Sequence, residues 1–156
     1  MSNYDPIIKT TQTSSSDFVS IVPVEVRGAE FPMNKDEIAK TLRDDDVNCV
    51  RTSLDYRCQA WCVFKVEAGD IVIDRLTVRD QNQLADVLDN LFDTLTFSPL
   101  RQPCRVVLIW PEHGTDHFVF RHLIDTGWKT CGIERDLFFK YGSNWDGIKL
   151  ERIFER

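Results

Sequence analysis

The chain is 156 residues long, 28% charged and 42% apolar, with a formal net charge of −6 at pH 7; that length fits one domain with a sizeable core. The acidic balance argues against nucleic acid as the main partner, because phosphate binding draws on clustered Lys and Arg. No apolar run approaches the roughly 20 residues of a membrane span, and the polar N-terminus has no apolar signal region, so no membrane partner and a cytoplasmic location are expected.

Residues 1–16, with "TTQTSSS", form a polar lead expected to be loose, and residues 17–156 are read as a single domain. "DFVSIVPVEV" (17–26) is the first predicted strand. "FPMNKDEIAKTLRDD" follows as a helix, with Asn34 as N-cap, Glu37 at the capping-box position and Met33 placed to staple onto Ile38. "NCVRTS" and "QAWCVFKVEA" form two strands joined around "LDYR". "DIVIDRLTVR" is a fourth strand after Gly69-Asp70.

Next, Leu84, Val87, Leu88, Leu91, Phe92 and Leu95 recur as one helical apolar stripe, and the helix ends near Ser98-Pro99. "CRVVLIW" reads as a strand buried on both faces. "DHFVFRHLIDTG" is a helix capped by Asp116 and stopped by Gly127. "CGIERDLFFKYG" and "GIKLERIF" close the chain as a hairpin across "SNWD". The order β-α-β-β-β-α-β-α-β-β predicts an α/β fold with a mixed sheet. The closing strand, if left as an edge, offers dimerisation by sheet extension.

The five cysteines are Cys49, Cys58, Cys62, Cys104 and Cys131. An odd set in a chain of this size reads as small buried hydrophobes in a reducing compartment. Cys58 and Cys62 share a face on a regular strand at about 13 Å, too far apart for a mutual disulfide.

Four stretches, taken in order, carry a resemblance to the GCN5-related N-acetyltransferase (GNAT) superfamily, nearest to the ribosomal-protein N-terminal alanine acetyltransferase-like proteins. They are "AEFPMNKDEIAKTLR", "DIVIDRLTV", "LIDTGWKTCGIERDLFF" and "NWDGIKLER". The resemblance spans about residues 18 to 154. It implies a mixed, mostly antiparallel central sheet of about seven strands flanked by about three helices. It also implies acetyl-CoA as co-substrate, seated in a splay between the fourth and fifth strands, and an amine acceptor such as a protein or peptide N-terminus.

By the same resemblance, the cofactor-binding positions are Leu76, Val78, Arg79, Gln83, Leu84 and Ala85. Backbone N–H groups near Leu76 and Val78 would polarise the acyl carbonyl, and the turn that opens the next helix would cradle the pyrophosphate. That cradle is a glycine-bearing turn in the family, because the backbone must approach phosphate without a Cβ in the way. Here Gln83 and Ala85 stand at the two small-residue positions, and only Ala85 fits. Asp80 stands where Arg or Gln is expected. A like-charge pair at about 5 Å and an effective dielectric of 20 costs on the order of 3 kcal/mol. Arg79 is the cation nearest in sequence to offset it. The family's acid tyrosine falls on Leu123, with His122 beside it. The relay base falls on Glu112.

His113, His117 and His122 lie within ten residues, but His113 precedes the helix cap and no paired Cys motif accompanies them, so no metal is expected. Arg43-Asp44-Asp45-Asp46 reads as a solvated loop. A Cys/His nucleophile pair stays open from sequence. Two functions follow: an acetyl-CoA-dependent N-acetyltransferase with Glu112 as base, or a non-catalytic GNAT-like module binding a protein or small ligand.

Overall fold

β-Branched and aromatic runs form the strands, and the computed structural model describes residues 5–12, 48–97, 103–140 and 142–155. In chain order these are β1 (Ile8–Gln12), β2 (Asn48–Leu54), β3 (Arg57–Glu67), β4 (Asp70–Val78), α1 (Leu84–Thr96), β5 (Cys104–Pro111), a 3₁₀ turn η1 (Glu112–Gly114), α2 (Phe118–Asp125), β6 (Lys129–Lys140) and β7 (Ser143–Phe154). Among the described residues the sheet has seven strands in the order β1-β2-β3-β4-β5-β7-β6. Only β4 and β5 run parallel; every other neighbouring pair is antiparallel. The mixed, mostly antiparallel α/β sheet is therefore present. The described helices are two, and the strand and helix expected over 17–26 and 31–45 lie outside the described residues.

The polar lead is not loose throughout. Ile8–Gln12 pairs antiparallel with β2. Thr10 Oγ1 lies 2.7 Å from Thr52 Oγ1 and donates to Asn90 Oδ1 of α1 at 2.7 Å. The strand is held by polar pairing, which an apolar-alternation reading does not register.

Helix α1 buries Val87, Leu88, Leu91 and Phe92, as its stripe requires. Val119 and Leu123 of α2 join the same core cluster, together with Ile73, Leu108 and Leu150 of the sheet. Gly127, at φ +101, ends α2. The Trp128 N–H donates to Leu123 O at 3.1 Å and the Gly127 N–H to Ile124 O at 3.3 Å, a Schellman pair that only a left-handed residue can close.

Several local expectations change. His117, not Asp116, caps α2: its Nδ1 accepts from the Val119 N–H at 3.2 Å. Asn144-Trp145-Asp146 belongs to β7, so the closing hairpin turns between Lys140 and Ser143 and not across "SNWD". Strand β7 lies between β5 and β6, which makes β6 the outer strand on that side and removes the closing strand as an edge for dimerisation. Cys58 pairs with Ser53 and Cys62 with Val50, three residues apart on β2, so the two cysteines face opposite sides of the sheet. A bulge at Gln59 flips the alternation between them.

At the far end of the sheet Arg105 clamps three strands. Its Nη1 lies 3.0 Å from Asp70 Oδ2, its Nε 2.7 Å from Glu151 Oε2 and its Nη2 2.6 Å from the same oxygen. All three side chains are about one-third to two-fifths exposed, so solvent discounts the pairing. Arg105→Met is expected to lower stability by about 0.5–1 kcal/mol at low salt, with the deficit shrinking in 1 M NaCl, as read by urea titration.

Candidate active site

Strands β4 and β5 pair only at Ile71↔Val106, Val72↔Val107 and Ile73↔Leu108. Beyond that point β4 continues to Val78 and β5 to Pro111 without pairing to each other. The divergence begins at a bulge in β4: Val63 pairs with Arg75 but Phe64 with Ile73, which leaves Asp74 as an extra residue. A bulge bends its strand and sharpens the twist, and here it turns β4 away from β5.

The hydrogen-bond direction along this stretch follows from one observation. The Arg79 N–H donates to Gln59 O of β3 at 2.7 Å. Successive strand N–H groups alternate sides, so those of Val78 and Leu76 point the other way, into the gap. Both side chains are buried in the core cluster, which fixes the backbone that carries these donors.

The turn leaving β4 is built around Asp80. Its Oδ1 accepts from the Asn82 N–H at 2.9 Å and from Gln59 Nε2 at 2.6 Å. The same Gln59 amide lies 3.3 Å from Asp80 O and 3.4 Å from Asn82 O. Gln59 is 4% exposed and sits at the β3 bulge, which aims its side chain under the turn. Gln83 then takes φ 53, ψ 35 as the N-cap of α1 and offers no side-chain cap. Leu84 is half-buried and Ala85 exposed at the first positions of the helix, and Asp86 adds a second carboxylate to that turn. Arg79 is half-buried.

This turn does not fit a diphosphate. The Asn82 N–H is already taken by a carboxylate, a side chain occupies the left-handed position at Gln83, and Asp80 and Asp86 bring negative charge to the helix end that attracts anions. The open edge of β4 does fit the amide-bearing arm of an acyl thioester, since among the described residues it presents N–H donors that β5 does not take up, in a gap between strands. Beside the turn lies a cleft of about 370 Å³ lined by Gln81, Asp116, His117, Phe118 and Arg121. Its lining holds one arginine, Arg121, and one carboxylate, Asp116.

Glu112 stands exposed in η1, just past the end of β5. The buried Trp110 pins that turn by donating from Nε1 to Gly114 O at 2.7 Å. Because Pro111 pairs with Gly147, the neighbouring Glu112 and Asp146 are brought side by side. Asp146 is set in place from β6: it accepts from the Asp136 N–H at 2.8 Å and pairs with Arg135 Nη1 at 3.2 Å. The Asp136 N–H first, then Glu112 and Arg135, hold the Asp146 carboxyl below its ordinary range against partial desolvation.

A depressed folded-state value means that Asp146 adds stability above the unfolded carboxylate range and loses it as pH falls through the lower folded value. Thermal melts of the wild type and of Asp146→Asn are expected to differ at pH 7 and to converge toward pH 3. Unchanged separation at the two pH values counts against this assignment.

Leu123, at the position of the expected acid, is wholly buried in the core and offers no proton. His113 lies in η1, His117 at the cap of α2 and His122 in its last turn. Among the described residues no three His, Cys, Asp or Glu side chains converge as metal ligands. Burial pushes the Cys49 thiol up to about 12, which leaves it un-ionised at neutral pH, and Cys58 and Cys62 are fully buried. Among the described residues no helix is long and apolar enough to cross a membrane. Two residues central to this site were given no role by the motifs: Gln59 sits at a bulge of its own strand, and Asp146, inside the closing stretch "NWDGIKLER", lies opposite a bulge of β6.

No model of a known protein family matches the sequence. No curated protein matches it either. Solved structures do match. The ribosomal-protein-S18-alanine N-acetyltransferase from Escherichia coli superposes with a TM-score of 0.69 at 13% identity, over 96% of each chain. A probable acetyltransferase from Staphylococcus epidermidis gives 0.66 at 11% identity, over 94% of this chain and 99% of that one. Arabidopsis thaliana NAA60, in complex with a bisubstrate analogue, gives 0.62 at 12% identity, over 94% of this chain and 98% of that one. These structural neighbours are GNAT acetyltransferases, and at such identities the likeness establishes the fold.

Proposed function

We propose that this GNAT-fold chain transfers an acyl group from a thioester to an amine, such as a protein or peptide N-terminus. The observation that carries the reading is the β4–β5 splay with the Leu76 and Val78 N–H groups directed into it. Among the described residues the gap leaves these donors without a partner on β5, which a continued ladder would supply.

An acyl thioester in the gap supplies the electrophilic carbonyl and a thiol leaving group. The chain's own part is to hold and polarise. The Leu76 and Val78 N–H groups bind the arm and the acyl oxygen, where developing negative charge is stabilised by fixed donors. Glu112, beside Asp146 at the end of β5, receives the proton that an ammonium must lose before it can attack. With Leu123 in the acid position, the thiolate leaves unprotonated or takes a proton from water. That step is tolerable for a group of pKa about 8.5.

A second reading, a non-catalytic module on the same fold, is favoured by the Asp80-filled turn and by the buried Leu123. A thiol-release assay separates the two. Acetyl-CoA and acetyl-pantetheine are supplied with peptides bearing a free α-amine and with a polyamine. Amine-dependent thiol release above the uncatalysed rate is expected, whereas its absence with either donor supports the module.

A further inference from the structure

We infer that this chain takes its acyl donor by the pantetheine arm alone, and that the nucleotide diphosphate of coenzyme A contributes nothing to binding. The inference rests on the acyl-transfer reading and narrows its donor class to thioesters recognised without the nucleotide. Its first support is the contrast between two halves of one site. The gap between β4 and β5 keeps its inward N–H groups, while the adjoining turn has its own anion in place.

The second support is that this closure is built from inside the protein. Asp80 is held by the Asn82 N–H at 2.9 Å and by Gln59 Nε2 at 2.6 Å, and Gln59 is buried at the β3 bulge. A phosphate oxygen seeking the Asn82 N–H must displace a carboxylate already bonded to it. The helix end and the cleft each carry a carboxylate of their own. Asp86 lies in the first turn of α1, and the cleft sets the Asp116 carboxylate alongside its one cation, Arg121. A diphosphate arriving here meets like charge and an occupied donor.

Isothermal calorimetry with acetyl-CoA, S-acetyl-pantetheine and adenosine 3′,5′-bisphosphate tests this on the full chain. The expected result is that acetyl-CoA and S-acetyl-pantetheine bind within about threefold of each other and that the bisphosphate gives no heat. Acetyl-CoA binding about tenfold or more tighter than S-acetyl-pantetheine overturns the inference and leaves acyl transfer standing. Binding of neither thioester at millimolar concentration overturns both. In Asp80→Asn, which keeps the shape of the turn and removes its charge, acetyl-CoA is expected to gain about tenfold while S-acetyl-pantetheine is unchanged. An equal change for both ligands, or for neither, counts against the carboxylate as the excluding group. Asp80→Gly, which also frees the Asn82 N–H, is expected to show the same selectivity with a larger gain.

Discussion

Glu112→Gln is expected to lower the rate of amine acylation by about two to three orders of magnitude near neutral pH, with donor affinity unchanged. Glutamine fills the same space, and η1 keeps its fold through the Trp110–Gly114 bond. What it loses is the ability to accept a proton from the incoming ammonium. The loss is expected to shrink as pH rises toward the amine's own pKa, where free amine no longer needs a base. Steady-state rates from pH 6 to 10, with donor binding measured separately, check this. A rate loss independent of pH points to a structural role for Glu112, and no loss at all removes it from the reaction. Asp146→Asn is expected to give a smaller loss, because Asp146 acts on Glu112 and not on substrate.

Leu91→Ala is expected to destabilise the fold by about 3–4 kcal/mol in urea titration, without a change in the denaturant slope. Leu91 is wholly buried at the centre of the α1 stripe, between Val87 and Phe92, and its loss leaves a cavity that a rigid sheet cannot collapse to fill. Leu95, half-buried at the end of the same stripe, is expected to cost less than half as much on the same substitution. Equal costs at the two positions would mean that α1 packs differently from its apolar stripe.

The sequence itself determined what depends on local period and on turn chemistry. The α1 stripe, the apolar run of β5, the left-handed Gly127 and the order of strands and helices across the described residues all follow from side chains within a few positions of one another. So did the mismatch at Asp80, Gln83 and Leu123, because residue types can be compared with a motif before any partner is known. Tertiary structure decided what depends on register between distant strands. Strand β1 has no apolar alternation and forms because Thr10 finds Thr52 and Asn90. The bulges at Gln59 and Asp74 exist only relative to the strands they pair with, yet one closes the turn and the other opens the splay. Asp146 reaches Glu112 because β5 and β7 align Pro111 with Gly147, a pairing across more than thirty residues of chain. A bulge shifts side-chain direction by one residue and so overrides the period-two pattern that sequence reading relies on. The site sits where that override happens twice.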